Sequence, residues 1–391
     1  MTPVRLRTRY AFRTAGRILF GPGGMEAAVA FAAERGGKAL LVSSRSLERS
    51  RTLRDALAAK GVAIQTLFAQ GEPTVTQAEQ GAALAREWKP DSVIAFGGGS
   101  AIDLGKAVAG LAANSGPIID YLEGVGNAKP LTRNALPCAA MPTTAGAGAE
   151  VTPNAVLVSE PHGAKVSLRS PRLLPQLAIV DPELTLSMPP AVTASTGMDA
   201  LTQLLEAYVS NHASPLTDPL CVEGLSLASG SLHRAFDNGE SRSDRWNMSL
   251  ASLFGGLALA NSRLGAIHGL AAAIGGTFQA PHGAVCARLL PEVMDANLLA
   301  LQRRERDSPA QARYEHAARI FTDFPSASAQ DGVAWARELV RSLGVPGLAE
   351  HGVKASSVLD IVGKALRTRS MQGNPVVLTA EELAEIVLRA L

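Results

Sequence analysis

The chain is poor in cysteine, has no excess of either charge, and contains no long uninterrupted apolar run. Its three cysteines, Cys138, Cys221 and Cys286, are widely spaced and form no CxxC pair. That spacing suggests neither a disulfide framework nor a thiolate zinc site, and it fits a reducing compartment. Against 37 basic residues stand 35 acidic ones, a formal net charge of +2 spread along the whole length. No electrostatic footprint for nucleic acid is visible in such a balance. Arg5, Arg7, Arg9, Arg13 and Arg17 crowd the N-terminus, but the segment lacks the apolar core of a signal peptide and reads as a solvated edge. No stretch reaches the roughly 18 uncharged residues needed to span a bilayer. The expectation is a cytoplasmic globular protein with neither nucleic acid nor membrane as a partner.

What is present is abundant apolar surface. Of 391 residues 47% are hydrophobic and 18% charged, enough for large cores and too long for a single one, so two domains are expected. Up to about residue 185 short β-type runs alternate with helical stretches. Lys38 to Ser43, Ala63 to Leu67 and Ser92 to Phe96 read as strands, while Leu53 to Lys60, Thr76 to Trp88 and Ala101 to Ala113 read as helices. This βαβ rhythm predicts parallel strands covered by helices. Beyond Asp181-Pro182 the β-branched runs nearly vanish, and segments 191–210, 215–236, 244–261, 330–343, 355–367 and 379–391 carry apolar residues at helical spacing. Pro189-Pro190 breaks regular structure near the change of character. The boundaries expected are 1–187 for an α/β domain and 188–391 for an all-α domain, with no internal repeat.

Three constellations carry chemistry. Phe96-Gly97-Gly98-Gly99-Ser100-Ala-Ile-Asp103 joins an apolar strand directly to a helix. Glycines there let the backbone approach an anion, and the free amides of a helix start supply donors and positive dipole. Ser100 is expected as the N-cap, with Asp103 at the capping-box position. The spacing is not GxGxxG, so it does not by itself name a dinucleotide. A second loop, Pro142-Thr143-Thr144-Ala-Gly146-Ala-Gly148-Ala-Glu150-Val-Thr152, again joins small residues to hydroxyls suited to phosphate or ribose. In the third, Asp199 and Gln203 lie four apart on one helix face, and His268 and His282 follow in apolar, glycine-rich surroundings. A carboxylate with two imidazoles is a divalent-metal set, though a histidine on an apolar helix also serves as a satisfied core residue.

In this order and at these separations the three segments, with Ile18-Leu-Phe-Gly21-Pro-Gly23 before them and Gly373-Asn-Pro375 after, resemble the iron-containing (group III) alcohol dehydrogenases. The resemblance implies a Rossmann-like N-terminal domain, a helical C-terminal domain in the dehydroquinate synthase-like architecture, an active site in the cleft between them, and a homodimer. It carries cofactor-binding roles for NAD or NADP to Gly98, Gly99, Ser100, Asp103, Thr143, Thr144, Thr152 and Lys165. It also implies Fe²⁺ or Zn²⁺ held by one Asp and three His, of which Asp199, His268 and His282 match while the fourth position is Gln203.

The chain departs from the family at three places. Where the family commonly has Thr-Asp after the second strand, here stand Ser43-Ser44-Arg45. Ser44 brings no carboxylate to repel a 2′-phosphate, and Arg45 is suited to pair with one. Gln203 offers a neutral amide where imidazole is usual. Ala272 replaces a second histidine, four residues after His268, often assigned to proton transfer. Two routes to hydride transfer with a small uncharged alcohol or aldehyde stay open. In one a metal on Asp199, Gln203, His268 and His282 polarises the substrate oxygen; in the other no metal binds and His268 or His282 serves as proton donor, as in the related maleylacetate reductases. Met198, Leu201, Phe254, Leu270, Ile274 and Phe278 are expected near the substrate. Dehydroquinate-synthase-like lyases need more cations than Arg234, Arg242, Arg245 and Arg263 supply, and a nucleotide-binding homologue that has lost catalysis is the remaining alternative.

Overall fold

The segment Ser92–Gly97 has a single polar side chain at its start and is buried throughout, which is what a strand covered on both faces requires. In the computed structural model, which describes residues 9–44, 47–278 and 280–391, it is a central strand of a parallel sheet. The strands are β1 (Arg17–Phe20), β2 (Lys38–Ser44), β3 (Ala63–Ala69), β4 (Ser92–Gly97), β5 (Cys138–Pro142) and, after the antiparallel hairpin of β6 (Asn154–Ser159) and β7 (Ala164–Arg169), β8 (Leu177–Val180). Among the described residues the sheet has six strands in the order β1-β8-β5-β4-β2-β3. Every pairing in it is parallel.

Period-two alternation divides the sheet's side chains between two cores. Leu40, Val42 and Val93 face α3 (Val75–Trp88) and α4 (Gly99–Ala113), where Ala78, Ala82, Leu104, Ala107 and Val108 receive them. Leu41, Ile94, Phe96 and Met141 face α1 (Met25–Ala33) and α2 (Leu47–Ala59), against Val29, Phe31, Leu53 and Leu57. The chain runs from β2 outward to β3 on one side and from β4 outward to β5 on the other. Sequence order therefore reverses between β2 and β4, and the carboxyl ends of those strands, Ser44 and Gly97, flank the topological switch point where open α/β sheets bind ligands.

The described chain forms two compact units. One comprises residues 14–186; the other comprises residues 187–391 together with the residues up to Arg13. The second unit holds α5 (Pro190–Val209), α6 (Asp218–Asp237), α7 (Arg242–Asn261), α8 (Ala266–Thr277), α9 (His282–Arg304), α10 (Pro309–Thr322), α11 (Ala329–Ser342), α12 (Val358–Ala365) and α13 (Ala380–Arg389). Arg13 joins it because its amide donates to Asn261 Oδ1 and its carbonyl accepts from Asn261 Nδ2. Six of these helices match the periodic segments. Helices α8, α9 and α10 lie outside them, for α8 is apolar nearly all round and so has no contrasting face, and α9 contains Pro291. No single helix among the described residues is long and apolar enough to cross a membrane.

In the α/β unit Lys106 of α4 is completely buried. Its Nζ pairs with Asp103 at 2.9 Å and donates to Ala149 O at 2.7 Å, to Thr152 Oγ1 at 3.0 Å and to Asn154 O. One cation thus ties α4 to the loop leading into β6. Replacing it leaves a carboxylate and several carbonyls without their donor, so Lys106→Met is expected to lower unfolding stability by about 3–5 kcal/mol, read by urea titration followed by circular dichroism.

Candidate functional site

The glycine turn forms the first cluster of candidate residues, in the α/β unit. Gly97 ends β4 with φ +153°, and a Cβ there would come within 2.7 Å of Ala101 and 3.3 Å of the Ser44 amide. Gly98 takes the N-cap position of α4 with no side-chain cap, which leaves the first helical amides for a ligand. This corrects the expectation that Ser100 caps the helix and Asp103 completes a capping box. The helix begins two residues earlier, so Ser100 sits within its first turn, and Asp103 instead accepts from the Val156 amide at 3.0 Å and pairs with Lys106.

The Pro142–Thr152 loop closes over this turn. The Thr143 amide donates to Gly97 O at 2.9 Å, and Thr144 packs 3.4 Å from where a Cβ on Gly98 would lie. A Cβ on Gly99 would stand 2.9 Å from Ala147. Ser44, Gly98, Gly99, Ser100, Thr143 and Thr144 are therefore gathered around the carboxyl ends of β2, β4 and β5 and the start of α4. Thr152 is buried on Lys106, and Lys165 of β7 pairs with Glu72 at 2.5 Å, so both are engaged with protein groups. Arg45 lies outside the described residues. Glu150, in the same loop, is buried, and that burial pushes its carboxyl up to about 7 against the opposing charge of Lys106.

A second cluster lies in the helical unit, built by α5, α8 and α9. Asp199 projects from α5, His268 from the first turn of α8, and His282 opens α9. His268 Nε2 lies 3.3 Å and His282 Nε2 3.8 Å from Asp199 Oδ1. Close backbone approach makes this possible, because a Cβ on Gly283 would stand 2.0 Å from Ser195 O. Glu206, two turns after Asp199 on α5, accepts from His268 Nδ1 at 2.6 Å and from the Ile267 amide at 2.7 Å. With Nδ1 so occupied, Nε2 is the ring nitrogen left facing Asp199.

A carbonyl-amide lock supports the start of α8. Asn374 Oδ1 accepts from the Ala266 amide at 3.1 Å, and Asn374 Nδ2 donates to Asn297 Oδ1 at 2.7 Å. A Cβ on Gly265 would meet both Asn374 and Glu206 at 2.8 Å. The cluster also contains Cys286, one turn after His282 on α9, and the ligand atoms of Asp199, His268, His282 and Cys286 all lie within 4.8 Å of one another. Gln203 hydrogen-bonds Asp199.

Burial and charge pull in opposite directions here. Burial alone raises the Asp199 carboxyl, but His268, His282 and Gln203 outweigh it and hold the group below its ordinary range. Burial alone lowers the His268 imidazole, yet Cys286, Glu206 and Asp199 together raise it well above the usual value. Two buried carboxylates thus flank one imidazole. The side chain of His282 stays 33% exposed against 8% for Asp199 and His268, so the cluster is reachable from its His282 side. A buried, negatively biased set of oxygen, nitrogen and sulfur donors fits a divalent transition ion.

Met198, Leu201, Leu270 and Ile274 are fully buried in the helical unit. Phe254 and Phe278 remain half-buried.

Comparison with known proteins places this arrangement. The family profile "Iron-containing alcohol dehydrogenase" matches residues 15–182, and "Fe-containing alcohol dehydrogenase family, C-terminal" matches residues 193–391. The chain belongs to the iron-containing alcohol dehydrogenase family. Alcohol dehydrogenase 4 of Schizosaccharomyces pombe is 36% identical over 323 residues, covering 82% of this chain and 74% of the relative. NAD-dependent methanol dehydrogenase of Bacillus methanolicus is 32% identical and covers 83% of each chain. A crystal structure of 1,3-propanediol oxidoreductase superposes with a TM-score of 0.90 at 30% identity, over 98% of this chain and 100% of that one. As a member of the iron-containing alcohol dehydrogenases, the protein is an enzyme interconverting alcohols and aldehydes.

Sequence reasoning about this dehydrogenase overlooked three residues. Glu206 was visible as the i+7 partner of Asp199 on one helix face, a spacing that places both carboxylates on the same side. Cys286 has no CxxC partner, and its signal is instead the helical i, i+4 pair His282-x-x-x-Cys286. Asn374 lies in the Gly373-Asn-Pro375 segment, but its role is set by partners 77 and 108 residues away.

Two outcomes are expected. Glu206→Gln should weaken divalent-metal binding roughly ten- to a hundredfold in a chelator competition, because the buried orienting charge behind His268 is lost. Glu150 keeps its proton in the folded state up to about pH 7, whereas the unfolded chain releases it near 4.5, so stability falls as pH rises through that window. Glu150→Gln should therefore match the parent at pH 4 and exceed it by at most roughly 3 kcal/mol at pH 8, measured by denaturant unfolding at both values.

Proposed function

We propose that the enzyme interconverts small uncharged alcohols and their aldehydes or ketones, using a nicotinamide dinucleotide at the Gly97–Ser100 turn and a divalent ion at Asp199, His268 and His282. The observation that carries this reading is the Glu206–His268 hydrogen bond of 2.6 Å behind a buried Asp199. An imidazole aimed in this way, with a second buried carboxylate at its other face, is the arrangement of an oriented metal ligand. It favours the metal-assisted route over a route in which histidine alone supplies the proton.

When bound, the ion supplies a Lewis acid to the substrate oxygen and the dinucleotide supplies the hydride acceptor. The amides at the start of α4 hold the pyrophosphate, with Gly98 and Gly99 keeping the approach clear and Ser100, Thr143 and Thr144 adding hydroxyl donors. Asp103, Thr152 and Lys165 support that cradle through their protein partners rather than by reaching outward. Glu206 keeps the proton on His268 Nδ1. Gln203 supports Asp199 as a hydrogen-bond donor beside the ion. The basic residues of the 199–282 segment whose partners are known serve the fold: Arg234 pairs with Asp244, Arg245 with backbone carbonyls, and Arg263 with Gln372. That supports an uncharged substrate.

Ser44 ends β2 without a carboxylate, so a 2′-phosphate meets no repulsion there and both NAD and NADP serve. The same reading takes the enzyme as a cytoplasmic homodimer with neither nucleic acid nor membrane among its partners. The near-balanced charge supports the latter, and the dimer rests on family resemblance.

Elemental analysis of protein purified without chelator should find about one equivalent of Fe or Zn; less than about a tenth of an equivalent with full activity would refute the metal reading. The ratio of kcat/KM for NADH over NADPH should stay below about a hundred, or about 2.7 kcal/mol in transition-state terms.

A further inference from the structure

Four protein ligands at bond lengths of about 2.0–2.3 Å around a tetrahedral centre place their donor atoms about 3.3–3.6 Å apart. In the helical unit the pair His268 Nε2 and Asp199 Oδ1 is separated by 3.3 Å, His282 Nε2 and Asp199 Oδ1 by 3.8 Å, Cys286 Sγ and His282 Nε2 by 3.7 Å, and Cys286 Sγ and His268 Nε2 by 4.0 Å. These four of the six edges lie within about 0.5 Å of the tetrahedral separation, and all four donor atoms lie within 4.8 Å of one another. The sulfur faces both imidazole nitrogens, and Gln203 is turned to a hydrogen bond with Asp199.

We propose that Cys286 is a direct metal ligand, completing an Asp199–His268–His282–Cys286 set in which Gln203 is a positioning residue for Asp199, and that the thiolate shifts this site's preference from Fe²⁺ towards Zn²⁺. The inference rests on the metal reading above and deepens it. Its physical basis is donor softness. Carboxylate and imidazole accommodate either ion, whereas a thiolate adds a soft donor that favours zinc. Rigidity supports the assignment, because His282 and Cys286 share one face of α9 and reach the same point without a loop movement. Ligation requires the thiol to release its proton to solvent as the ion enters, and no electron is transferred.

Cobalt exchange tests this in the full-length enzyme. The protein is stripped with chelator, reloaded anaerobically with Co²⁺, and its cobalt content and absorption are recorded. The expected result is a thiolate-to-cobalt charge-transfer band in the near ultraviolet that persists in Cys138→Ser and Cys221→Ser and disappears in Cys286→Ser and Cys286→Ala. Chelator competition should show Zn²⁺ affinity falling more than about tenfold in Cys286→Ser, with a smaller loss for Fe²⁺. Stoichiometric cobalt without the band in the parent enzyme overturns Cys286 ligation while leaving the metal site standing. Failure of the parent to bind any divalent ion overturns both. If the Cys286 variants do not fold, the parent band still decides, because neither Cys138 nor Cys221 belongs to the clustered ligand atoms.

Discussion

The hydrogen bond from His268 Nδ1 to Glu206 constrains the whole helical site. One carboxylate uses one oxygen on the imidazole and the other on the Ile267 amide, so it sets both where α8 begins and which way its histidine points. Nothing larger than glycine fits at residue 265, because a Cβ there would run into Glu206 and Asn374. Asn374 in turn is held by Asn297 on α9, so α5, α8 and α9 are referenced to each other through buried amides and carboxylates. Such a network leaves each donor atom little freedom, and that is what gives a ligand set defined edges.

Lys106 plays the corresponding part in the α/β unit. Charge buried without partners would be untenable, yet here a single ammonium satisfies Asp103, Thr152 and two carbonyls and thereby pins the loop that carries Thr143 and Thr144. The glycine turn is consequently formed by backbone and small residues in front of a rigid polar knot. Both sites thus follow one rule: groups that meet a ligand are oriented by buried groups that do not.

The parallel sheet was legible because both-face burial leaves continuous apolar runs, as in β2 and β4. The hairpin β6–β7 was not, since its alternating pattern sits between elements of a βαβ rhythm. In the helical unit, periodicity marked α5, α6, α7, α11, α12 and α13. It missed α8, which is apolar nearly all round, α9, which carries an internal proline, and α10. Helices α8 and α9 supply His268, His282 and Cys286, so the site lies where hydrophobic patterning is least informative.

Residue type and order alone determined the glycine turn, the threonine loop, and the candidacy of Asp199, His268 and His282, because those chemistries need particular side chains at particular local spacings. Tertiary structure decided the rest. Whether a cysteine 18 residues from His268 joins it, whether Glu206 or solvent takes Nδ1, and whether Asp103 caps a helix or pairs with Lys106 all depend on contacts between separate elements. Spacing along a chain cannot express such contacts, since packing brings the groups together and burial makes their pairing obligatory.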